Sequence, residues 1–386
     1  MTQKLIISKD LLNNTLTRHG DFWKPLPNRS FLRSTGIYAL SSPVYLKQKD
    51  GKLLDHIDKV EADLVNPDIL IREIENYNSD QLNEMLALKG QYLVSVGQGD
   101  SIPLARPLLK IPWIEAMLGC TITMINGQIW NKQYSGDPEL LIQKGIHFES
   151  NPWFQLYLEF IKQIQNRLDK RFLISAIAGF RGTCDLAASI MGVEEACIGW
   201  IDNPTFMARL MRVCTDAILT VVEAVNKIRL PSNNGYPCQG VWAPDKTIVT
   251  QADHAILLSP ETYKQQILPY DLEVIQSCPI SSFHLHNCGL HLAPILIEVP
   301  ELDAIKIYMD PYPIEESRKL YEINILKKIL QYKPLILDVY LLNLKEGEWL
   351  LDNLPKNRLF FKAWFDYEIY NNLPDDFPGR KIWLSE

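Results

Sequence analysis

The sequence predicts an α/β protein, a (β/α)8 barrel with a mainly helical N-terminal layer. From Gln91 onward, short runs rich in β-branched and aromatic residues alternate with longer helical patterns, which is typical of a parallel sheet. Eight such runs occur, and eight parallel strands are the number that closes this barrel. No GxGxxG sequence follows any of the runs, so an open sheet of the dinucleotide-binding kind is disfavoured.

The division of the chain follows from the same change of pattern. Residues 1–90 are more polar and are predicted to form a helical N-terminal extension, and residues 91–386 are predicted to form the barrel. The predicted strands are Tyr92–Val96, Thr121–Ile125, Phe172–Ala178, Thr247–Gln251, Ser282–Cys288, Ala304–Met309, Leu335–Tyr340 and Leu359–Phe365. Helices with apolar residues three and four positions apart are predicted at Asn203–Ile228, Pro260–Ser277, Gly289–Ile297 and Glu315–Gln331. Active sites of such barrels lie at the carboxyl ends of the strands.

Composition excludes several classes of function. The 386 residues are 47% hydrophobic and 22% charged, as in globular proteins that bury a large core. The net charge of −7 and the lack of a basic cluster argue against nucleic acid as a partner. No window approaches the roughly 18 apolar residues that cross a bilayer, and no signal peptide is recognisable, so we expect a cytoplasmic protein without a membrane partner. The seven dispersed cysteines contain no CxxC pair, which argues against a disulfide scaffold.

The most informative segment is Ser282–Gly289, with the sequence SFHLHNCG. Side chains on a strand alternate between its faces, so His284, His286 and Cys288 are predicted to point the same way into the barrel. Positions i and i+2 lie roughly 6.5 Å apart and can share one metal ion, whereas i and i+4 cannot. Only His284 with His286, or His286 with Cys288, can therefore form a ligand pair. The second pair is favoured because it lies nearer the open end of the barrel, and the alternative is a hydrogen-bonded core histidine beside a small buried cysteine.

Several segments resemble the uroporphyrinogen decarboxylase superfamily, which includes haem-pathway decarboxylases and zinc-dependent, corrinoid-linked methyltransferases. The resemblance runs from about Gln91 to Phe365. It is carried by Ile111–Cys120, Gly179–Gly182 before Leu186-Ala187, Thr250–His254, Leu258–Tyr263 and His286–Gly289. The resemblance implies the same (β/α)8 barrel.

The chain departs from both branches of this superfamily. The decarboxylases carry a Gln-Ala-Gly-Arg type motif after the first strand, where this chain reads Val96–Asp100, so the orthodox porphyrinogen reaction is not expected. The methyltransferases hold zinc with His-x-Cys and a later cysteine, and no cysteine follows Cys288 here. If zinc binds to His286 and Cys288, oxygen ligands must complete the site, and Asp310 and Asp366 are the positional candidates.

The remaining candidates follow from their places near strand ends. The candidate catalytic residues are Asp253, His254 and His284, where His254 titrates near neutrality and can pass protons. The candidate substrate-binding residues are Arg181, Arg106 and Tyr308, and the two guanidinium groups suit a carboxylate. Each also has a structural interpretation, as a surface ion pair, a turn residue or a core aromatic.

Three functional hypotheses result. The first is a uroporphyrinogen decarboxylase-like lyase that acts on a small carboxylated molecule and needs no cofactor. The second is a zinc-dependent methyltransferase with a corrinoid protein or a thiol as partner. The third is an inactive barrel that serves as a binding or scaffold subunit, because fold alone does not decide function.

Overall fold

A parallel sheet of six strands forms the centre of the protein. The computed structural model describes residues 9–25, 30–37, 46–47, 53–54, 56–68, 71, 94–95, 98–102, 104–107, 111–126, 128–168, 172–177, 180–310, 316–341 and 344–365. The six strands are β1 (Phe31–Ile37), β2 (Thr247–Gln251), β3 (Ile280–His286), β4 (Ala304–Met309), β5 (Leu335–Leu341) and β6 (Leu359–Phe365). They are hydrogen-bonded in the order β2-β3-β4-β5-β6-β1, and Gln98–Gly99 adds an antiparallel strand beside β1.

Smaller sheets flank the central one. Leu104–Ala105 pairs in parallel with Leu173–Ile174 and antiparallel with Val94–Ser95. The hairpins and short pairs are Ile122–Ile125 with Gln128–Asn131 and His56–Ile57, Tyr236–Cys238 with Val241–Ala243, and Leu46–Lys47 with Leu53–Leu54.

Helices connect the strands and pack against the sheet. The α-helices of at least seven residues in the described ranges are Lys9–Phe22, Pro138–Lys144, Pro152–Arg167, Thr183–Met191, Val193–Asp202, Pro204–Ile228, Leu268–Ile275, Glu316–Tyr332 and Leu344–Asn353. Shorter α-helical turns are Trp113–Met117, Pro260–Thr262 and Ala293–Ile297; Tyr263–Ile267 is a π-helix, and Ala62–Leu64, His254–Leu257 and Asn287–Leu292 are 3₁₀-helices. The Ser259 hydroxyl accepts from the Thr262 amide at 3.0 Å, so the predicted helix start before Pro260 is confirmed. No helix among the described residues is both long and apolar enough to cross a membrane.

The two faces of the central sheet have different chemistry, because side chains alternate along each strand. On the outer face, Leu285, Ile307, Leu337 and Phe361 are buried in the main apolar core. On the inner face, the amino-terminal half packs a second apolar cluster of Phe22, Leu32, Val241, Ala304, Ile336 and Phe360. The carboxyl half of that inner face carries polar side chains instead, among them His284, His286, Lys306, Asp338 and Lys362. The candidate site therefore lies at the carboxyl ends of the strands, where sites in parallel α/β sheets are found.

The structure confirms the predicted parallel α/β sheet and corrects parts of it. Phe31–Ile37 lies in the central sheet beside β6, so the N-terminal region is more than the predicted helical layer. Thr121–Ile125 was expected in the barrel, but Ile122–Ile125 belongs to an antiparallel hairpin. The strand predicted to continue to Cys288 ends at His286. Closure of eight parallel strands is not shown among the described residues, where six lie in one sheet and two in another.

Gly182 lies where the chain cannot accept a side chain. A Cβ atom at this position would fall far inside van der Waals contact with the Gln251 carbonyl oxygen at the end of β2. We expect Gly182→Ala to lower the free energy of unfolding by about 2 to 3 kcal/mol, because backbone must move to relieve the clash. Urea denaturation of both proteins measures this change.

Gly20→Ala is the matched control, because its Cβ would lie 3.5 Å from the Trp242 ring, an ordinary contact. Gly20 lies inside the helix Lys9–Phe22, where alanine is favoured by about 0.5 to 1 kcal/mol. Equal stability of the two variants would show that the Gly182 contact is not tight.

Candidate active site

Three possible metal ligands meet at the carboxyl end of β2 and β3. One ligand atom from each of Asp253, His284 and His286 lies within 4.8 Å of the other two. His284 and His286 are two residues apart on β3, and their rings meet edge to face with centroids 4.9 Å apart. Asp253 follows β2, the neighbouring strand, and so reaches the same point. The prediction that His284 and His286 share one side of the strand is confirmed by this contact.

His286 is held in place by a carboxylate and an aromatic ring. Its Nδ1 atom lies 2.8 Å from Asp310 Oδ2, just beyond the end of β4, and its ring contacts the edge of Tyr308 at 5.4 Å between centroids. Burial alone would lower the pKa of His286, but the hydrogen bond to Asp310 and the nearby Asp253 charge raise it above its ordinary value. Because Nδ1 is engaged by Asp310, Nε2 is the nitrogen that remains for a ligand.

His284 is more deeply buried than His286, and its pKa is shifted in the opposite direction. Its Nδ1 atom is buried and has no hydrogen-bond partner among the described residues. Burial, together with the Lys306 ammonium and His286, holds the pKa of His284 well below its ordinary value. The imidazole is therefore neutral near pH 7, which is the form that binds a metal.

The two carboxylate oxygens of Asp253 have different surroundings. Gln251 Nε2 donates to Asp253 Oδ2 at 2.8 Å, while Oδ1 is buried without a hydrogen-bond partner among the described residues. Burial and the Asp185 carboxylate raise the pKa of Asp253 to about 6, against the opposing effects of His286 and Arg181. A buried carboxylate oxygen of this kind is costly unless a cation or a proton joins it.

Asp185, which sequence analysis missed, fixes the loop that carries Asp253. Its Oδ1 accepts from the His254 amide at 2.7 Å, and its Oδ2 accepts from the Gly182 amide at 3.1 Å and from Gln251 Nε2 at 3.4 Å. Asp185 is the third residue of the helix Thr183–Met191, where an acidic side chain reaches back to the amide before the helix. The sequence Gly182–Asp185 contains the signal for this helix start. It gives no indication that Asp185 also binds the loop of Asp253, because that loop is remote in sequence.

The remaining predicted metal ligands lie outside this group. Cys288 falls in the 3₁₀-helix Asn287–Leu292, beyond the end of β3, and is exposed. The prediction that it continues the strand face is wrong, because the backbone turns into a helix at Asn287. Asp310 contacts His286, and Asp366 lies outside the described residues.

A cavity of about 490 Å³ adjoins the donor group. Three predicted site residues line it, namely Arg181, Asp253 and His254. Its other lining residues include the apolar side chains of Trp130, Val193, Ile256 and Leu257, all of which are exposed. His254 Nε2 lies 3.8 Å from Cys197 Sγ, and burial lowers the pKa of His254. The cavity thus combines an apolar mouth with a few polar groups, as small-molecule sites do.

Arg181 is fixed by a buried acid. Its Nε atom lies 3.0 Å from Glu115 Oε1, and the arginine side chain is 42% exposed whereas that of Glu115 is 2% exposed. Burial raises the pKa of Glu115, and Arg181 opposes that shift. The guanidinium is therefore anchored on one side and faces the cavity with the other.

Beside the histidines, two lysines share one carboxylate on the inner face. Lys306 Nζ lies 2.7 Å from Asp338 Oδ2, and Lys362 Nζ lies 3.5 Å from Asp338 Oδ1. The lysines hold the pKa of Asp338 below its ordinary value although burial acts to raise it. Burial lowers the pKa of Arg106 to about 10, and Asp338 opposes that shift. Sequence analysis did not single out these lysines, because each lies on a strand whose sequence resembles apolar core.

The fold is shared with a protein of known structure. A methyltransferase from Methanosarcina mazei matches 91% of this chain with 92% of its own, at a TM-score of 0.55 and 14% sequence identity. At this identity the likeness shows the fold alone. No protein-family model matches the chain, and no curated protein matches it.

The ion pair between Arg181 and Glu115 can be measured by a double-mutant cycle. We expect Arg181→Met to destabilise the protein by about 1 to 2 kcal/mol, because it leaves Glu115 buried without its partner while solvent already screens the exposed arginine. Adding Glu115→Gln should recover most of that loss. Additive effects in urea denaturation would mean that the two side chains are not coupled.

The pH dependence of stability reports on Asp271, which is fully buried beside this site. Burial raises its pKa to about 7, although Thr183 and Tyr263 donate hydrogen bonds to it at 2.6 and 2.9 Å and favour the ionised form. Because the folded protein then holds a proton that the unfolded chain releases at lower pH, stability should fall as pH rises toward about 7. Asp271→Asn should flatten that slope in denaturation series from acid to neutral pH, and an unchanged slope would contradict the assignment.

Proposed function

We propose that this chain is a metal-dependent transferase that moves a methyl or other small alkyl group, with zinc as the metal. The observation that carries the proposal is the meeting of Asp253, His284 and His286, whose ligand atoms lie within 4.8 Å of one another. The shared fold with a methyltransferase supports the transfer reaction over decarboxylation.

The residues present fit a zinc ion. Two imidazoles and one carboxylate form a donor set common in catalytic zinc sites, which leave a fourth position open for substrate. His284 Nδ1 and Asp253 Oδ1 are buried polar atoms without hydrogen-bond partners among the described residues. Burial of such atoms is costly, and a cation bound by these side chains would offset part of that cost.

Neighbouring residues orient the proposed zinc ligands His286 and Asp253. Asp310 engages His286 Nδ1 and so fixes which ring nitrogen faces the site. Gln251 and Asp185 hold the Asp253 carboxylate and its loop. When bound, zinc supplies Lewis-acid activation that favours the deprotonated form of a thiol or water nucleophile.

The substrate enters through the cavity in this proposal. Arg181 anchors a carboxylate or another anionic group of the substrate, Tyr308 packs beside His286 as a wall, and His254 at the cavity accepts or returns a proton. The methyl group is exchanged with a corrinoid protein or a thiol, which is the partner that the resemblance implies.

Two alternatives have less support. The decarboxylase-like lyase finds no support in the shared fold with a methyltransferase. An inactive scaffold does not account for three possible metal ligands within 4.8 Å of one another. We also propose that Leu104–Ala105 and Leu173–Ile174, which pair in parallel, supply the two strands between β1 and β2 that close a (β/α)8 barrel.

Zinc titration tests the proposal. The wild-type protein, freed of metal by a chelator, should bind one zinc per chain, and Asp253→Asn or His284→Ala should abolish that binding because each removes a ligand. Asp310→Asn should weaken zinc binding by about 10- to 100-fold, since a carboxylate that accepts a hydrogen bond from a metal-bound histidine contributes that much.

Cys288→Ser is the matched control, because Cys288 is exposed and lies outside the donor group. It should bind zinc as the wild type does. Loss of zinc in this variant, or a wild type that binds none near neutral pH, would contradict the proposed site.

A further inference from the structure

The lysines of the inner face form a cluster that the transfer reaction does not use. Lys306 lies on β4 and Lys362 on β6, and the Asp338 carboxylate on β5 stands between them. The exposed fractions of these side chains are 15% for Lys306, 10% for Lys362 and 7% for Asp338. Two ammonium groups therefore face one carboxylate inside the protein.

The two lysines are bound unequally. Lys306 makes the close ion pair with Asp338 at 2.7 Å and also donates to Gln239 Oε1 at 3.2 Å. Lys362 lies 3.5 Å from Asp338 and donates to the Gln239 carbonyl oxygen at 2.7 Å, a bond that a neutral amine can also form, although more weakly than an ammonium. Since Asp338 compensates Lys306, Lys362 is the lysine that can lose its proton at low cost.

A hairpin turn fixes the position of the Lys362 amine. Gln239 and Gly240 form the two-residue turn between Tyr236–Cys238 and Val241–Ala243, and both have positive φ angles, 53° and 85°. This turn brings the Gln239 carbonyl onto Lys362 Nζ, while the Phe360 ring lies 4.9 Å from the same atom. The amine is thus oriented by protein contacts on a strand of the central sheet.

We propose that Lys362 forms a Schiff base with a small 2-oxo acid. A desolvated lysine next to a second cation is a known way to make an amine nucleophilic. The neighbouring Lys306 supplies a positive charge for the carboxylate of the ligand, and Asp338 lies close enough to balance the iminium charge that replaces the ammonium. Burial lowers the pKa of Lys362 to about 8, with Asp338 opposing and Lys306 adding to the shift.

The condensation balances without any oxidant or reductant. The Lys362 ammonium first releases one proton to solvent, and the neutral amine adds to the carbonyl carbon while a second proton moves from nitrogen to oxygen. The released proton then returns to the carbinolamine hydroxyl, which leaves as one water as the C–O bond breaks. The product is an iminium whose nitrogen carries the charge beside Asp338.

Borohydride trapping tests this inference. The full-length protein is incubated with pyruvate, reduced with sodium cyanoborohydride, digested, and its lysine peptides are quantified by mass spectrometry. We expect one reduced pyruvate on Lys362, at least tenfold more than on any other lysine. Labelling at Lys306, or labelling spread over exposed lysines with no preference for Lys362, would overturn the proposal.

An internal control and two variants sharpen the test. Lys333 is also buried, but it donates to the Val299 carbonyl at 2.7 Å and lies at the opposite end of the sheet, so it should stay unlabelled. Lys362→Met should lose the adduct, and Lys306→Met should reduce it. The wild-type peptide map decides the question even where a variant fails to fold, and since it is run with and without zinc, its result is independent of the proposed metal site.

Discussion

The register of the parallel strands is the constraint on which the rest of the structure depends. In this register His284 lies opposite Gln251 and Lys306, and Asp338 lies opposite Tyr308 and Lys362. Since side chains alternate along each strand, these residues all lie on one face of the sheet. A slip of one residue would exchange these polar side chains with Leu285, Ile307 and Leu337 of the outer core. The candidate metal ligands and the lysine cluster are thus two products of one register.

Polar groups on an inner face destabilise a protein unless each one is compensated. The apolar cluster that contains Phe22 and Phe360 fills the amino-terminal half of the same face and confines the charged side chains to the other half. There, Asp338 is compensated by Lys306 and Lys362, whereas Asp253 Oδ1 and His284 Nδ1 have no such partner among the described residues. Asp253 and His284 are also two of the three residues in the proposed donor group, and a bound cation would offset part of the cost of burying their polar atoms.

The sequence pattern correctly predicted the strands that depend only on neighbouring residues. The strands Thr247–Gln251, Ala304–Met309 and Leu359–Phe365 have the predicted bounds, since each is a short apolar run between turn signals. Phe31–Ile37 was missed because its pairing partner, Leu359–Phe365, is more than 300 residues away. Cys288 was misplaced because strand alternation gives no signal for the turn at Asn287. The nearness of Asp253 to His284 depends on the Asp185 contacts, which join segments about 70 residues apart in sequence.

The zinc K-edge X-ray absorption spectrum of the zinc-loaded protein identifies the atoms that bind the metal. Coordination by Asp253, His284 and His286 predicts a first shell of nitrogen and oxygen alone, at about 2.0 to 2.2 Å, with the outer-shell scattering of imidazole rings. A sulfur scatterer at about 2.3 Å would place a cysteine on the metal and contradict this ligand set.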